Sequence, residues 1–442
     1  MPAVWREISG RGVVGQSVLM SAGYVRRDGT LFCEGVSLEA IAERVDTPVY
    51  VYSAGAIRDR YQRLTGALSG LPVRIHYSVK ANSSLAILAL LHSLGAGVDI
   101  VSGGELFRAL QVGFTGGDIV FSGVGKTVAE LTRAVRTGVH SINVESEGEL
   151  QALQKVALGL GVVAPVALRV NPDVAVATPH PYTRTGERGM KFGIPHDQIL
   201  SVARAMATMP NVKLTGLAAH LGSQIGDAAP YALAAKLLVA LKRNIEKEGI
   251  ATISTLDLGG GLGVTYDREA APDLAAYAEA LGIAASAPGV TILVEPGRFL
   301  VADSGVLVTR VLYRKHSGGK EIVVTDAGMN DFIRPSLYES HHAIEAVSAG
   351  DAPEVRANIV GPVCESGDFF ANDRVIADVA PGQLLVLRTA GAYGYSMASN
   401  YNSRPRPAEV LVDGDRFAII TERESDADLT RRERLAPEWI ED

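Results

Sequence analysis

The sequence predicts an α/β protein in which a (β/α)8 barrel of the TIM type is joined to a C-terminal, mostly-β domain. At 442 residues the chain exceeds the size at which one hydrophobic core usually stops growing, so two domains are expected. Between about residues 48 and 310, short apolar runs alternate with amphipathic stretches, as strands alternate with helices. After about residue 311 more strand-like runs follow, with few helical signals between them.

Eight strands are predicted in the first region. The first five begin at intervals of 22 to 24 residues, the length of a strand plus a crossover helix. Eight such repeats fill a closed ring, which favours a barrel over the alternative, a doubly wound open sheet. The predicted strands span residues 74–80, 97–102, 119–123, 141–146, 165–171, 214–222, 255–261 and 291–298.

Helix signals lie between these strands, and the helix after the third strand is an example. Thr127 and Glu130 have the spacing of a capping box, which predicts a helix start at Thr127. Val128, Leu131 and Val135 recur at helical spacing. We therefore expect these three side chains to form the face that packs on the barrel.

The second domain is predicted from strand-like runs at residues 306–313, 321–325, 355–363, 383–388, 408–412 and 417–420. The N-terminal segment also has β character around a turn at Arg27-Asp-Gly, and we expect it to pack on this domain. The expected division is therefore an N-terminal segment at 1–47, the barrel at 48–310 and the β domain at 311–442. The charged end, residues 423–442, is expected to be a solvated tail.

Net charge, hydropathy and cysteine count exclude several classes of partner and location. The formal net charge of −7 argues against nucleic acid or an anionic membrane as partner. No apolar run approaches the roughly 18 residues that span a bilayer, and the first residues lack a secretory pattern. Cys33 and Cys364 are too few for a disulfide framework, so a reducing, cytoplasmic location is expected. No metal site is predicted.

Polar residues cluster where the predicted barrel strands end, which is where barrel enzymes place their catalytic groups. A single lysine at a strand end is usually a solvated charge. Because many polar residues occupy such positions in this sequence, an active site is a better interpretation than a group of solvated surface charges. They are Lys80, Asp99, Ser102, Asn171, His220, Ser223, Gly259, Gly260, Gly261, Glu295 and Arg298.

Lys80 and Glu295 are the amine and the carboxylate that pyridoxal 5′-phosphate requires. The amine attaches to the aldehyde, and the carboxylate holds a proton on the ring nitrogen. An arginine opposite that nitrogen would leave the ring neutral, as a racemase would prefer. Glu295 and Arg298 could alternatively form a simple surface ion pair, which would contribute only about 0–1 kcal/mol.

His220 and the glycines 259–261 complete the predicted cofactor site. An imidazole at the sixth strand end can stack flat on a heteroaromatic ring, although a hydrogen-bonded packing role is the commoner fate of a histidine. Consecutive glycines after the seventh strand can turn backbone N–H groups toward a phosphate. Their spacing is not Gly-x-Gly-x-x-Gly, so a dinucleotide site is not favoured.

The predicted β domain adds two further candidates for the active site, Cys364 and the run 391–406. Cys364 could be a small buried hydrophobe, but its flanking residues Glu365, Ser366 and Asp368 favour an accessible, proton-donating thiol. The run 391–406 is too polar and glycine-rich for a core strand. Within it, Tyr393 could reach a phosphate or a reacting carbon.

With these residues in place, the chain resembles the fold-type III pyridoxal phosphate-dependent decarboxylases, and within them the diaminopimelate decarboxylase group. The resemblance covers almost the whole chain. It is carried by Tyr77-Ser-Val-Lys80-Ala-Asn, by Thr185-Gly-Glu-Arg-Gly-Met-Lys-Phe-Gly193, by Asp326-Ala-Gly-Met-Asn-Asp-Phe-Ile-Arg334-Pro-Ser-Leu-Tyr338 and by Cys364-Glu-Ser-Gly-Asp368.

The resemblance implies an alanine racemase-like fold and a head-to-tail homodimer. Each site would take Lys80 from one subunit and the partner subunit's Cys364 and Glu365. The implied catalytic residues are Lys80, His220 and Cys364. The implied cofactor residues are Lys80, Asp99, His220, Ser223, Gly259, Gly260, Gly261, Glu295, Gly297, Arg298 and Tyr393. The implied substrate residues are Arg298, Arg334, Tyr338, Glu365 and Tyr393.

The activity implied by the resemblance is decarboxylation of meso-2,6-diaminopimelate at its D-centre, which yields L-lysine and CO2. The distal end of this diamino diacid carries one cation and one anion. Arg298 and Arg334 suit the carboxylate and Glu365 suits the ammonium. The alternatives are a related decarboxylase of ornithine, arginine or carboxynorspermidine, a racemase, or a non-catalytic module that binds the cofactor.

Overall fold

The computed structural model describes residues 23–440 except for 175, 177, 184, 349 and 351. Its helices are α1 (Leu38–Val45), α2 (Ala54–Ala67), α3 (Leu85–Ser93), α4 (Gly103–Val112), α5 (Val128–Thr137), α6 (Glu147–Leu160), α7 (Ile199–Met206), α8 (Ala229–Lys247), α9 (Leu274–Ala285), α10 (Arg298–Val301), α11 (Arg334–Tyr338) and α12 (Asp426–Thr430). Its strands are β1 (Tyr24–Arg27), β2 (Thr30–Cys33), β3 (Val36–Ser37), β4 (Val49–Ser53), β5 (Val73–Ser78), β6 (Gly97–Ile100), β7 (Ile119–Phe121), β8 (Ser141–Val144), β9 (Ala164–Asn171), β10 (Ile194–Pro195), β11 (Val212–Ala219), β12 (Thr255–Asp257), β13 (Thr291–Val294), β14 (Gly305–Ser317), β15 (Lys320–Thr325), β16 (Ile344–Ala346), β17 (Glu354–Val360), β18 (Phe369–Ala377), β19 (Leu384–Leu387), β20 (Ala408–Asp413) and β21 (Arg416–Thr421).

The eight predicted barrel strands form a closed parallel ring. Its order is β5-β6-β7-β8-β9-β11-β12-β13, and β13 pairs back onto β5. The short β10 pairs in parallel with the carboxyl end of β9. Because the pairing of β8 with β9 and of β13 with β5 leaves no edge between these strands, the prediction of a barrel rather than an open sheet is confirmed.

Helices cover the outside of the ring, each through one apolar stripe. α5 begins with the predicted capping box, in which Thr127 and Glu130 bond each other's backbone N–H groups. Leu131 is fully buried, as predicted, but Val128 is 61% exposed. The prediction for Val128 is wrong because the buried stripe runs through Leu131 and Ala134. At about 100° per residue, Val128 lies about 90° from the centre of that stripe.

The second sheet has the order β18-β17-β15-β14-β4-β20-β21, and β19 joins β14 to β16. All six strands predicted for this region are present within a few residues. β16 and β18 were not predicted. β18 contains the turn-favouring pair Asn372-Asp373 in its middle, which weakens its strand pattern.

The N-terminal hairpin of β1 and β2 contacts the second sheet. The backbone N–H of Leu31 donates to the carbonyl of Val347 over 2.9 Å, and Arg26 pairs with Glu345 at 2.7 Å. β4 lies between β14 and β20. The expected boundaries at 47/48 and 310/311 stay predictions, since β4 and β14 both lie at these points and both belong to the second sheet. Residues 1–22 of the N-terminal segment and 441–442 of the tail lie outside the described residues.

In the described part of the chain, no helix combines the length and the apolar character that crossing a membrane requires.

Candidate active site

Three adjoining cavities lie at the carboxyl ends of the barrel strands. The first, of about 190 Å³, shares Lys80, His220 and Glu295 with a second of about 360 Å³. It shares Arg298 and Arg334 with a third of about 370 Å³. The first cavity brings together most of the predicted site residues, which are Lys80, His220, Ser223, Gly261, Glu295, Gly297, Arg298, Arg334, Tyr338 and Tyr393.

Lys80 reaches the cavity from a single 3-10 turn, Val79–Ala81, that directly follows β5. Its Nζ lies 3.3 Å from Oδ2 of Asp99 at the end of β6, and the Ser78 hydroxyl donates to the same oxygen over 2.9 Å. Burial alone would lower the pKa of the Lys80 amine, but Asp99 and then Tyr393 and Glu295 raise it above its usual value. In the chain by itself the amine is therefore a cation.

Glu295, at the end of β13, is 5% exposed and lies among other carboxyl groups. Its pKa is raised well above the usual range by burial and by the nearby charges of Asp257 and Asp99. Burial likewise raises the pKa of Asp257 to about 6, and the two carboxyls are hydrogen-bonded. The pair therefore shares a proton unless a second cation lies against Glu295.

Asp257 connects this pair to the glycine loop. Its Oδ1 accepts the backbone N–H of Gly259 over 2.8 Å, and its Oδ2 accepts the Asn143 side chain over 3.1 Å. The Gly259 carbonyl in turn accepts the backbone N–H of Glu295 over 2.8 Å. Asp257 thus connects the ends of β8, β12 and β13 in the wall of the second cavity.

His220, just beyond β11, presents a neutral ring. The backbone N–H of Gly260 donates to its Nδ1 over 3.1 Å, so Nδ1 is an acceptor and the proton of the neutral ring lies on Nε2. The pKa of His220 is lowered well below 6.5, first by burial and then by the positive charges of Lys80 and Arg169. A flat, uncharged imidazole suits stacking on an aromatic cofactor.

The chemistry of these residues fits pyridoxal phosphate. A Cβ on Gly260 would collide with the carbonyl oxygen of Glu295, and Gly261 has a φ of +104°, so both positions require glycine. They leave a cradle of backbone beside the cavity. Asp99 Oδ1 and Arg298 Nε are buried and have no hydrogen-bond partner among the described residues, which leaves polar capacity for a ligand.

Two guanidinium groups line the side of the cavities that faces the β domain. Arg298 donates to the Tyr266 hydroxyl over 2.5 Å and to the Ser223 hydroxyl over 2.9 Å. Arg334 donates through Nε to His342 Nε2 over 3.4 Å. Both arginines are nearly buried, at 6% and 5% exposure. Within residues 23–440 as described, neither forms an ion pair with a carboxylate, so this wall is suited to an anion.

Tyr393 comes from the predicted polar run and adopts a left-handed backbone with φ +56°. Its backbone N–H donates to the carbonyl of Ala81, next to Lys80, over 2.7 Å. Its ring lies 4.8 Å from the Arg298 guanidinium carbon. This contact joins the β domain to the barrel at the cavity.

Cys364 and Glu365 do not line the cavities of their own chain. Both are exposed, in agreement with the accessible thiol that the sequence indicated. The backbone N–H of Cys364 donates to Asn402 Oδ1 over 2.8 Å, and Glu365 accepts the Tyr401 hydroxyl over 3.2 Å. These contacts give the exposed thiol and carboxylate a defined position on the surface of the β domain.

Among the residues that hold the predicted site residues in place, Asp257, Tyr266 and His342 were not predicted. Asp257 stands two positions before the glycines, so the glycine signal could have drawn attention to it. Tyr266 follows the same glycines. His342 follows α11 after a short loop, and no sequence pattern marks its approach to Arg334. The predicted Asp99, Gly259 and Gly260 contact residues of the lining, as described above.

Comparisons with known proteins agree with this geometry. Residues 54–302 match the family model of the pyridoxal-dependent decarboxylases, pyridoxal binding domain. A diaminopimelate decarboxylase of Pseudomonas aeruginosa is 47% identical over 93% of this chain and 99% of that protein. One from Neisseria meningitidis is 46% identical over 90% and 95%. The crystal structure of the Helicobacter pylori diaminopimelate decarboxylase complexed with L-lysine superposes with a TM-score of 0.85 at 38% identity, covering 89% of this chain and 98% of that one.

Proposed function

This chain belongs to the diaminopimelate decarboxylase family of pyridoxal-dependent decarboxylases, and from that premise we propose how its residues perform the reaction. The protein is a pyridoxal phosphate-dependent carboxy-lyase that converts meso-2,6-diaminopimelate into L-lysine and CO2. The carboxylate leaves from the D-centre, and the reaction is the last step of lysine biosynthesis. The observation that carries the assignment of roles is that two buried guanidiniums, which have no carboxylate partner among the described residues, line the same cavity as Lys80.

The barrel side of the cavity would hold the cofactor. Lys80 would bind the aldehyde carbon, Glu295 would face the ring nitrogen and His220 would cover one face of the ring. The backbone of 259–261, together with Ser223, Gly297 and Tyr393, would hold the phosphate. When bound, the cofactor supplies a cationic ring that withdraws the electrons left when the carboxylate departs as CO2.

The carboxyl groups of the barrel side keep that charge distribution in place. Asp99, 3.3 Å from the Lys80 amine in the chain by itself, would hold that amine whenever it is not bonded to the cofactor. Glu295, supported by Asp257, would hold a proton at the ring nitrogen. A cation at that position lowers the pKa of Glu295 toward its usual range, because a positive neighbour favours the carboxylate.

The opposite wall would read the distal end of the substrate. Arg298 and Arg334 would bind the carboxylate of the distal L-amino acid, and Tyr338 lies beside them in the first and third cavities. A decarboxylase of lysine or ornithine has no distal carboxylate to bind, so two such guanidiniums would serve no purpose there. This wall therefore favours diaminopimelate over simpler diamino acids.

The proton that replaces the departing carboxylate would come from a second copy of the chain. We propose a head-to-tail homodimer in which the partner subunit's Cys364 donates that proton and the partner subunit's Glu365 binds the distal ammonium. Support comes from the exposure of both residues outside the cavities of their own chain and from their defined position on the surface. A cytoplasmic location is also proposed, supported by two unpaired cysteines.

Incubation of the purified protein with pyridoxal phosphate and meso-diaminopimelate, followed by chiral analysis, tests the proposal. We expect L-lysine and CO2 in equal amounts and no D-lysine. Parallel incubations with ornithine, arginine, lysine and carboxynorspermidine should release little CO2. Faster release from one of these substrates, or racemisation without CO2, would overturn the proposed specificity.

A further inference from the structure

The two guanidiniums of the cavity are held by neutral groups. Arg298 bonds two hydroxyls, those of Tyr266 and Ser223. The hydrogen bond given by the Arg334 side chain goes to an imidazole, that of His342. A carboxylate in either place would fix the arginine but would also neutralise it. Neutral partners orient the cations and leave their charge for the ligand.

The hydrogen bonds of His342 determine which of its nitrogens carries the proton. Its Nδ1 lies 2.9 Å from the carbonyl oxygen of Arg388, and a carbonyl can only accept, so Nδ1 must donate. Its Nε2 faces Arg334 Nε–H, which can only donate, so Nε2 must accept. The ring is therefore neutral, with its lone pair directed at Arg334.

The ring is also fixed in space. His342 is fully buried, and its ring centroid lies 4.6 Å from that of Phe332 and 5.1 Å from that of Tyr266. The Tyr266 ring in turn lies 5.4 Å from the Arg334 guanidinium carbon. Burial and the neighbouring Arg334 lower the pKa of His342 well below 6.5, so the imidazole stays an acceptor at neutral pH.

We infer that His342 is a positioning residue for substrate specificity. It holds Arg334 through Nε and thereby turns the terminal nitrogens of that guanidinium toward the distal carboxylate of the substrate. This inference rests on the proposed function for the identity of the anion. His342 itself does not line the first or third cavity, so its effect is exerted through Arg334.

Two amide substitutions separate the two hydrogen bonds of the ring. His342→Asn places an amide near the position of Nδ1, where it can still donate to the Arg388 carbonyl but cannot reach Arg334. His342→Gln extends an amide to the position of Nε2, where its oxygen can accept from Arg334. The two variants are matched in polarity, and each keeps one of the two hydrogen bonds of the ring, so only the variant that loses Arg334 should lose affinity for the carboxylate.

The measurements are kcat and KM for meso-diaminopimelate with the holoenzyme, and the inhibition constants of L-lysine and cadaverine. L-lysine carries the carboxylate of the distal end, and cadaverine lacks it. For His342→Asn we expect KM and the inhibition constant of L-lysine to rise about tenfold, the loss of one hydrogen bond to a charged group. We expect kcat and the cadaverine constant to stay within about twofold, and His342→Gln to remain close to wild type.

Several results would overturn the inference. These are equal constants for His342→Asn and wild type, equal losses in both variants, or a cadaverine constant that rises with that of L-lysine. Loss of the folded state in both variants, seen as a collapsed Tm, would assign His342 to the core instead. Failure of the wild-type protein to form lysine from diaminopimelate would reject the proposed function, and the wild-type measurement reports that separately.

Discussion

The two sides of the cavity hold charge in opposite ways. On the barrel side one amine, Lys80, faces the carboxyls of Asp99 and Glu295, and Asp257 adds a third carboxyl. On the side of the β domain, Arg298 and Arg334 meet hydroxyls, an imidazole and aromatic rings. The first side is short of a cation and the second is short of an anion. A protonated pyridine ring would neutralise the surplus carboxylates of the first side, and a substrate carboxylate would neutralise the guanidiniums of the second. The unneutralised charge on each side therefore matches the charge of the ligand proposed for it.

Removing the amine should have the largest effect, because it eliminates covalent attachment on the barrel side. Lys80→Ala should lower turnover by about a thousandfold or more. After borohydride treatment, mass spectrometry should show no cofactor fixed to the variant, whereas the wild type should gain its mass. Lys80→Arg is the control, since it keeps a cation beside Asp99 but cannot bond the aldehyde. Cofactor fixed to either variant would show that another lysine is the attachment site.

The barrel side was also the side that the sequence could predict. Each of Lys80, His220 and Glu295 lies at or just beyond the end of an apolar strand, and parallel strands of a barrel end on the same face. Chain position alone therefore placed them together. Asp257 was not predicted as a site residue, because an aspartate just before a run of glycines is typical of an ordinary turn. Only the fold shows that its carboxyl lies beside that of Glu295.

On the opposite wall, Arg298 could be predicted from its position at a strand end, but the other residues could not. Arg334 and Tyr338 were assigned only through a family resemblance, and His342 and Tyr266 were not assigned at all. The backbone carbonyl of Tyr266 bonds the side chain of His341, a contact between a barrel loop and the β domain that no local pattern encodes. Cys364 was recognised through its polar neighbours, but its proposed use by a second chain cannot be derived from the spacing of residues in the sequence.

Cys364, the third component of the proposed site, belongs to neither wall of the cavity in its own chain. Cys364→Ala should lower kcat by about a hundredfold, since general acid catalysis typically contributes that much or more. The absorbance of the bound cofactor should be unchanged. A wild-type rate would return Cys364 to a role in the surface of the β domain.

Mixing the two inactive variants examines the sharing of sites between subunits. In a dimer formed from Lys80→Ala and Cys364→Ala chains, one of the two sites contains both wild-type residues. An equal mixture should therefore recover about a quarter of wild-type activity after dissociation and reassociation, because half of the dimers are mixed. Full inactivity of the mixture would mean that each chain uses its own Cys364.

Truncating the arginine of the opposite wall should affect substrate binding and leave the cofactor in place. Arg334→Ala should raise KM for meso-diaminopimelate on the order of a hundredfold, because a buried charge partner contributes about 2–5 kcal/mol. The dissociation constant of pyridoxal phosphate, measured by absorbance, should change little. Arg310→Ala, which removes a guanidinium of β14 away from the cavities, is the control. A KM that does not change would place the distal carboxylate elsewhere.

The smallest effect is expected for Asp257→Asn, which removes one of the surplus carboxyls on the barrel side. The measured quantity is the free energy of unfolding as a function of pH. Burial raises the pKa of Asp257 to about 6, above the unfolded value of about 3.9. Between these values the folded chain binds more protons than the unfolded chain, so its free energy of unfolding falls as pH rises. Asp257→Asn removes this titration. Without cofactor, we expect the variant to gain about 1–2 kcal/mol on the wild type between pH 4 and pH 7.

Bound cofactor should make the wild type more stable to unfolding than Asp257→Asn, the reverse of the order without cofactor. Burial of Asp257 alone would not produce this change of order. A cation at Glu295 favours the ionised carboxyls, so pyridoxal phosphate should flatten the pH dependence of the wild type and stabilise it more than Asp257→Asn. Urea unfolding at a series of pH values, with and without cofactor, measures both effects. Asp415→Asn, at an exposed turn, should follow the wild type throughout. Parallel curves for wild type and Asp257→Asn without cofactor would show that the barrel side carries no surplus negative charge, and the contrast between the two walls would then rest on the arginines alone.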